Sequence, residues 1–322
     1  MKTIGIFCGG FSSEFDISIK SAKTILNNFP DGYNVFLIEV KRENWTAKYK
    51  GGEYQLDLNS LSFNVGSETI SLDYGLTYIH GNPGENGKIQ AFLEMKGIPC
   101  INSGALASEL SFDKWYCNQF LKGFGIPVAK SLFLSSPTDF TIDEIVEELG
   151  LPLFVKPSDS GSSYGISKTK TKEEIAAAIE FAFKEGNTIV IESFLDGTEV
   201  TCGVYRSNHQ LLALPLTEIA TENEYFDYEA KYLGQSQEIT PARVSDEIRD
   251  KVQAAAKRVY QLLQLKSISR IDFMIVNDVP HVIEVNTTPG FSPASIVPQM
   301  IAAEGKTIKQ FWTEIFASEM SR

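Results

Sequence analysis

The chain has 322 residues, 43% of them hydrophobic and 22% charged, and a formal net charge of −12. That length exceeds one ordinary core and predicts two or three domains. The acidic balance argues against nucleic acid or an anionic membrane as the main partner, and no apolar run reaches transmembrane length.

The opening MKTIGIFCGG reads as a first strand over residues 4–8 rather than a secretion signal, because its apolar run is short and ends in glycines. A helix is expected over 14–27, capped by Ser12 or Ser13. Strands follow at 35–40 and 76–79, with short antiparallel strands between 45 and 71. A helix over 88–96, closed by Gly97, leads to a strand at 98–101. This alternation is that of an α/β domain, placed at 1–112.

A second unit, 113–188, opens on one helix, SFDKWYCNQFLKGFG. Strands at 131–134 and 153–156 precede a helix over 172–184. Its apolar positions Ile175, Ala178, Ile179 and Ala182 keep helical spacing. The third unit, 189–322, holds strands near 189–192 and 199–206, a helix over 246–265, a hairpin and two C-terminal helices. Its polar loop over 221–244 is long for a compact domain and is expected to act as a lid. Cys8, Cys100, Cys117 and Cys202 form no close pair and no zinc spacing, so they read as reduced thiols of a cytoplasmic protein.

Two nucleotide motifs nearly occur. Gly5, Gly9 and Gly10 lack the Gly-x-Gly-x-x-Gly spacing, and NPGENGKI has Asn82 and Ile89 where a P-loop needs Gly and Ser or Thr. FVKPSDSGSSYGISK, 154–168, is a better phosphate candidate. A strand end delivers Lys156 to a Ser/Gly loop whose N–H groups can form an anion nest; a plain flexible turn is the alternative. Lys114 sits in the first turn of its helix, the wrong end for a cation, and a bound anion would relieve it.

SRIDFMIV and HVIEVNTTPG, joined by a turn, are two strands of a hairpin. Arg270 and Asp272 share one strand face, as do Glu284 and Asn286. An odd loop, 277–279, gathers all four into one patch; a two-residue loop puts them on opposite faces. Two carboxylates about 4 Å apart repel by roughly 4 kcal/mol at an effective dielectric near 20. Arg270 offsets part of this, and a hard divalent cation suits two carboxylates and an amide oxygen. The alternative is a structural Arg–Asp–Glu network.

Taken in order, GGFSSEFDIS (9–18), HGNPGENG (80–87), FDK (112–114), VKPSDSGSSYG (155–165), FDYEAKY (226–232), RIDF (270–273) and EVNTTPG (284–290) resemble the motifs of D-alanine–D-alanine ligases. These belong to the ATP-grasp superfamily, and the resemblance covers almost the full length. It implies an α/β and α+β fold, a three-domain ATP-grasp architecture with an N-terminal Rossmann-like α/β domain. It also implies ATP as a substrate, two Mg2+ (or Mn2+) ions, D-alanine as the amino acid joined for peptidoglycan precursor synthesis, and a homodimer.

Residue by residue, the resemblance assigns Asp272, Glu284 and Asn286 to the metal and Lys114, Lys156 and Lys231 to phosphates, under a loop carrying Ser162 and Ser163. Glu192 and Leu195 would meet adenine, with Ser193 where the family often has Lys, and Glu199 the ribose. Glu14 and His80 would hold the first substrate, with Glu14, Ser162 and Tyr232 forming a set that links the domains. Arg270 and the Gly290 N–H would stabilise the oxyanion. Ser295 and Ile296 would meet the second substrate, although FSPAS departs from the commoner sequence. Ligation to D-lactate or D-serine, or a non-catalytic ATP-binding regulator, are the rival readings.

Overall fold

The computed structural model describes residues 1–159, 164–221 and 236–320. Its first sheet has the order β4-β3-β2-β1-β7. The central strand β1 (Lys2–Gly9) runs parallel to both β2 (Tyr33–Val40) and β7 (Tyr74–Thr77). Ile4 to Gly9 are buried without alternation, as a parallel strand covered on both faces requires. β3 (Trp45–Tyr49) and β4 (Gly52–Gln55) extend the sheet antiparallel, and β5 (Ser62–Val65) pairs β6 (Glu68–Ser71) as a separate hairpin.

Helix α1 (Phe15–Asn27) packs on β1, but neither Ser12 nor Ser13 caps it. Its N-cap is Glu14, without a side-chain cap bond. Ser12 Oγ instead donates to the His80 carbonyl at 2.9 Å, fastening the turn to the loop opposite. Gly10, at φ +103°, lets the chain turn there; a Cβ would strike the Ile79 side chain. After α2 (Lys88–Met95), Gly97 at φ +71° ends the helix as expected. The strand expected at 98–101 reduces to a single bridge between Gly75 and Cys100.

SFDKWYCNQFLKGFG is not one helix. α3 (Ala105–Phe112) stops and α4 (Lys114–Gly123) starts at Asp113, whose ψ of 111° is extended and whose carboxylate accepts the Tyr116 N–H. Ser158 Oγ donates to the same carboxylate at 2.6 Å, so a tertiary contact helps hold the break. The second sheet, β10-β9-β11-β8, contains β8 (Ser131–Leu134), β9 (Leu153–Pro157), β10 (Ser167–Thr169) and β11 (Ile189–Ser193). Thus 189–193, assigned from sequence to the third unit, is hydrogen-bonded into the second. α5 (Ile142–Leu149) and α6 (Lys172–Ala182) cover this sheet with Ile145, Ile175 and Ile179; α5, capped by a Thr141–Glu144 box, was not anticipated.

The third sheet, β15-β14-β12-β16-β17 with β13 paired to β12, is antiparallel. Its strands are β12 (Thr198–Ser207), β13 (Gln210–Ala213), β14 (Thr217–Thr221), β15 (Ser236–Ile239), β16 (Ser269–Val276) and β17 (Val279–Asn286). Of the expected lid over 221–244, β15 and the segment after it are described, whereas 222–235 lie outside the described residues. α7 (Asp246–Leu262) lies on this sheet.

The chain ends in α8 (Ile296–Ala303) and α9 (Ile308–Glu319). Phe311, Trp312 and Phe316 of α9 share one core with Ile25, Leu76 and Tyr78 of the first unit. The two ends of the chain are therefore packed together by apolar burial, worth about 1.5–3 kcal/mol per such side chain.

Candidate active site

The hairpin β16–β17 corrects one expectation and keeps its consequence. Its turn has two residues, Asn277 and Asp278, at φ 49° and 62°, the left-handed pair of a type I′ turn. Uninterrupted, that turn would send Asp272 and Glu284 to opposite faces. A β-bulge between Asp272 and Phe273 inserts Ile283 and shifts the register, so Asp272 pairs with Glu284 and Arg270 with Asn286. The four polar residues face one cavity of about 830 Å3.

Around Asp272 the partners are defined. Arg270 donates from Nε to Oδ1 and from Nη2 to Oδ2, both at 2.9 Å. Asn286 Nδ2 donates to Oδ2 at 3.0 Å, and Thr201 Oγ1 donates to Oδ1. Burial works to lower the Arg270 pKa, but Asp272, with Glu284 and Glu238, holds it above its ordinary value. The guanidinium is thus a permanent cation aimed into the cavity.

Opposite lie the lysines. Lys114, buried in the first turn of α4, reaches Glu284 Oε1 at 3.6 Å. The unfavourable end of the helix dipole is answered within the protein by this carboxylate, and not by an anion alone. Lys156 Nζ lies 2.6 Å from Glu192 Oε2, and Asn118 Nδ2 donates to Glu192 Oε1 at 2.8 Å. Asn118 follows Lys114 by one helical turn, a spacing that could have flagged it in the sequence. Thr201, two residues after Glu199 on one strand face, carried a comparable signal.

Every described residue that the resemblance assigns to ATP, metal or substrate lines this cavity. Glu14 and His80 come from the first unit, Lys114, Lys156, Glu192 and Leu195 from the second, and Glu199 and the β16–β17 residues from the third. Gly290, Ser295 and Ile296 close the wall after β17. Glu218 and Glu238 also line it and were missed, because nothing local marks a strand carboxylate as inward-facing. Ser162, Ser163, Lys231 and Tyr232 lie outside the described residues.

The donor set is compatible with a hard cation. Among the described residues no group of three or more His, Cys, Asp or Glu is placed to hold a metal ion. Two carboxylates and one carboxamide do meet, all oxygen donors of the type magnesium takes. Each carboxylate already attracts a cationic group, Arg270 on Asp272 and Lys114 on Glu284.

Comparison with known proteins matches nearly the whole chain. Residues 3–103 match the family model described as D-ala D-ala ligase N-terminus, and 120–317 the one described as D-ala D-ala ligase C-terminus. The D-alanine–D-alanine ligase of Parabacteroides distasonis is 43% identical over 322 residues, covering 99% of this chain and 98% of the relative. That of Flavobacterium johnsoniae is 44% identical, covering 97% and 98%. Among solved structures, D-alanyl-alanine synthetase A from Vibrio cholerae aligns at a TM-score of 0.88 and 32% identity, covering 100% of this chain and 99% of that one. The VanG D-Ala:D-Ser ligase from Enterococcus faecalis also aligns at 0.88, with 28% identity and 99% of each chain covered. These likenesses carry the ATP-grasp fold expected from the motifs, and the chain belongs to the D-alanine–D-alanine ligase family.

Proposed function

We infer that this protein joins two D-alanines into D-alanyl-D-alanine, using ATP, for peptidoglycan precursor synthesis. The observation that carries the reading is the convergence of Arg270, Asp272, Glu284, Lys114 and Lys156 on one cavity in a full-length member of this family. A solved relative from Bacillus anthracis, at a TM-score of 0.81, is described as complexed with ATP.

ATP lies with its adenine near Glu192 and Leu195, its ribose near Glu199 and its phosphates between Lys114 and Lys156. Lys231, Ser162 and Ser163 are assigned to the same phosphates on the sequence motifs alone. Asp272, Glu284 and Asn286 would hold magnesium, which supplies charge neutralisation of the phosphates when bound. Glu14 and His80 hold the first D-alanine so that its carboxylate oxygen attacks the γ-phosphorus, forming a P–O bond as ADP leaves. The acyl phosphate then meets the neutral amine of the second D-alanine, placed by Ser295 and Ile296. Nitrogen bonds to the carbonyl carbon, phosphate departs with the C–O bond pair, and the amine proton passes to the Glu14, Ser162 and Tyr232 set or to solvent. Arg270 and the Gly290 N–H neutralise the oxyanion between these events. Positioning and charge carry this chemistry, with no covalent help from the protein.

A second reading concerns the acceptor, since one close structural likeness is a D-Ala:D-Ser ligase. No described helix is long and apolar enough to cross a membrane; placing the enzyme in the cytoplasm as a homodimer rests on the family resemblance alone. The test is phosphate release with ATP, magnesium and a panel of D-acids, with products separated. D-alanyl-D-alanine as main product supports the assignment; release indifferent to every D-acid overturns it in favour of a regulator.

A further inference from the structure

The peptide between Pro289 and Gly290 is held from the far end of the sequence. Tyr78 Oη donates to the Pro289 carbonyl at 3.0 Å, across 211 positions. The next peptide is held as well: the Phe291 N–H donates to Ser21 Oγ at 3.1 Å, across 270 positions. Gly290, which lines the cavity, therefore has both flanking amides tied to the N-terminal unit.

We propose that Tyr78 and Ser21 are positioning residues that aim the Gly290 N–H at the oxyanion and link its aim to occupancy of the first-substrate site. This rests on the ligase reading of Gly290 given above. The Pro289 carbonyl and the Gly290 N–H belong to one planar trans amide and point in opposite directions. Fixing the oxygen fixes the direction of the N–H. A hydrogen bond accepted by the carbonyl also polarises the amide and strengthens its N–H as a donor.

The anchors are themselves immobilised. Tyr78 is 1% exposed, and its ring meets Phe291, His80 and Trp312 edge-on at centroid separations of 6.0–6.2 Å. Burial pushes its phenol pKa well above the usual value, so the hydroxyl remains a donor at any working pH. Ser21, fully buried on α1, also contacts His80 Nε2 at 3.0 Å. Ser18, one turn earlier, accepts the His80 N–H at 3.0 Å and donates to the Glu14 carbonyl. Glu14 at the N-cap and Ser18 and Ser21 on α1 thus form one line, connecting the first-substrate residues Glu14 and His80 to the oxyanion loop.

The test compares Tyr78→Phe, Ser21→Ala and the double variant with the parent protein. Four quantities are measured: dipeptide turnover, ATP affinity without D-alanine, affinity for a tetrahedral phosphinate analogue of the dipeptide, and Tm. Small misplacement of a catalytic group lowers rate by up to about a hundredfold. We expect kcat and analogue affinity to fall together by about ten- to a hundredfold for Tyr78→Phe, with ATP affinity within about twofold. The double variant should lose less than the product of the singles, because both bonds serve one loop. Unchanged turnover in Tyr78→Phe, or a loss tracking Tm and ATP affinity while the analogue binds normally, overturns the proposal. A parent protein making no dipeptide would instead overturn the ligase reading.

Discussion

Lys156 and Glu192 form a buried ion pair inside the wall of the cavity, with Nζ 2.6 Å from Oε2 and both side chains almost wholly shielded. They stand on adjacent antiparallel strands, β9 and β11, where Val190 pairs with Lys156 and Glu192 with Phe154. The two are diagonal neighbours on one face, within reach of long side chains. The lysine assigned to phosphate and the acid assigned to adenine therefore hold each other. Breaking such a pair from one side leaves a buried charge uncompensated, at a cost of about 3–5 kcal/mol.

Lys156→Met should consequently destabilise the protein as well as weaken ATP binding. Adding Glu192→Gln should restore most of the lost Tm while leaving ATP binding poor, since only the structural part of the defect is relieved. Thermal unfolding with and without ATP separates these effects. A double variant no more stable than Lys156→Met would show that Asn118, not Lys156, is the decisive partner of Glu192.

Glu284→Gln removes a charge from the oxygen donor set while keeping side-chain volume. Activity should fall at least about a hundredfold at limiting magnesium, far more than soluble yield or the Tm lost with the Lys114 contact. Magnesium titration of turnover is the measurement. Near-normal turnover at low magnesium would assign Glu284 to its partner Lys114 alone.

The acceptor amine of D-alanine must lose a proton before attack, whereas a D-lactate hydroxyl needs no such prior loss. Turnover with D-alanine should therefore rise from about pH 6 towards 9. Preference for D-alanine over D-lactate at pH 7 and above should reach at least about tenfold, roughly 1.4 kcal/mol of differential transition-state binding. The motif containing Lys231 and Tyr232 motivates this, being the form found in dipeptide-making ligases. Competition between the two acids, with products counted across that range, decides the matter; mainly depsipeptide at neutral pH would keep an ATP-dependent ligase and discard the dipeptide.

Burial pushes the thiols of Cys8, Cys117 and Cys202 up to about 12 from an ordinary 9. Because the folded value is the higher one, each neutral thiol contributes stability below pH 9 that is lost as pH rises towards 12. The native protein should resist alkylation at pH 8, with labelling following unfolding. Rapid labelling of these cysteines without loss of Tm would contradict the packing around them.

Much of the site was legible because its signals are local. Alternation along 269–276 and 281–286 puts Arg270 with Asp272 and Glu284 with Asn286, and ordered motifs supply the rest of the cavity. Helix 172–182 follows from apolar spacing, and the end of the helix before Gly97 from the glycine itself. What the chain could not announce locally were choices made between distant segments. The two-residue turn at Asn277–Asp278 argues for the wrong face, and only the bulge at Ile283 reverses it. Asp113 breaks a helix that propensity would continue, because its carboxylate caps α4 and accepts Ser158 across 45 positions. Residues 189–193 join the second sheet because hydrogen bonds to β8 and β9 satisfy both of their edges. The sequence by itself determined which groups are assigned to the chemistry, since residue type and strand period are properties of a few neighbours. Tertiary structure decided who holds whom, Lys156 with Glu192 and Tyr78 with the Pro289 carbonyl, since buried polar groups must find partners wherever the fold brings them.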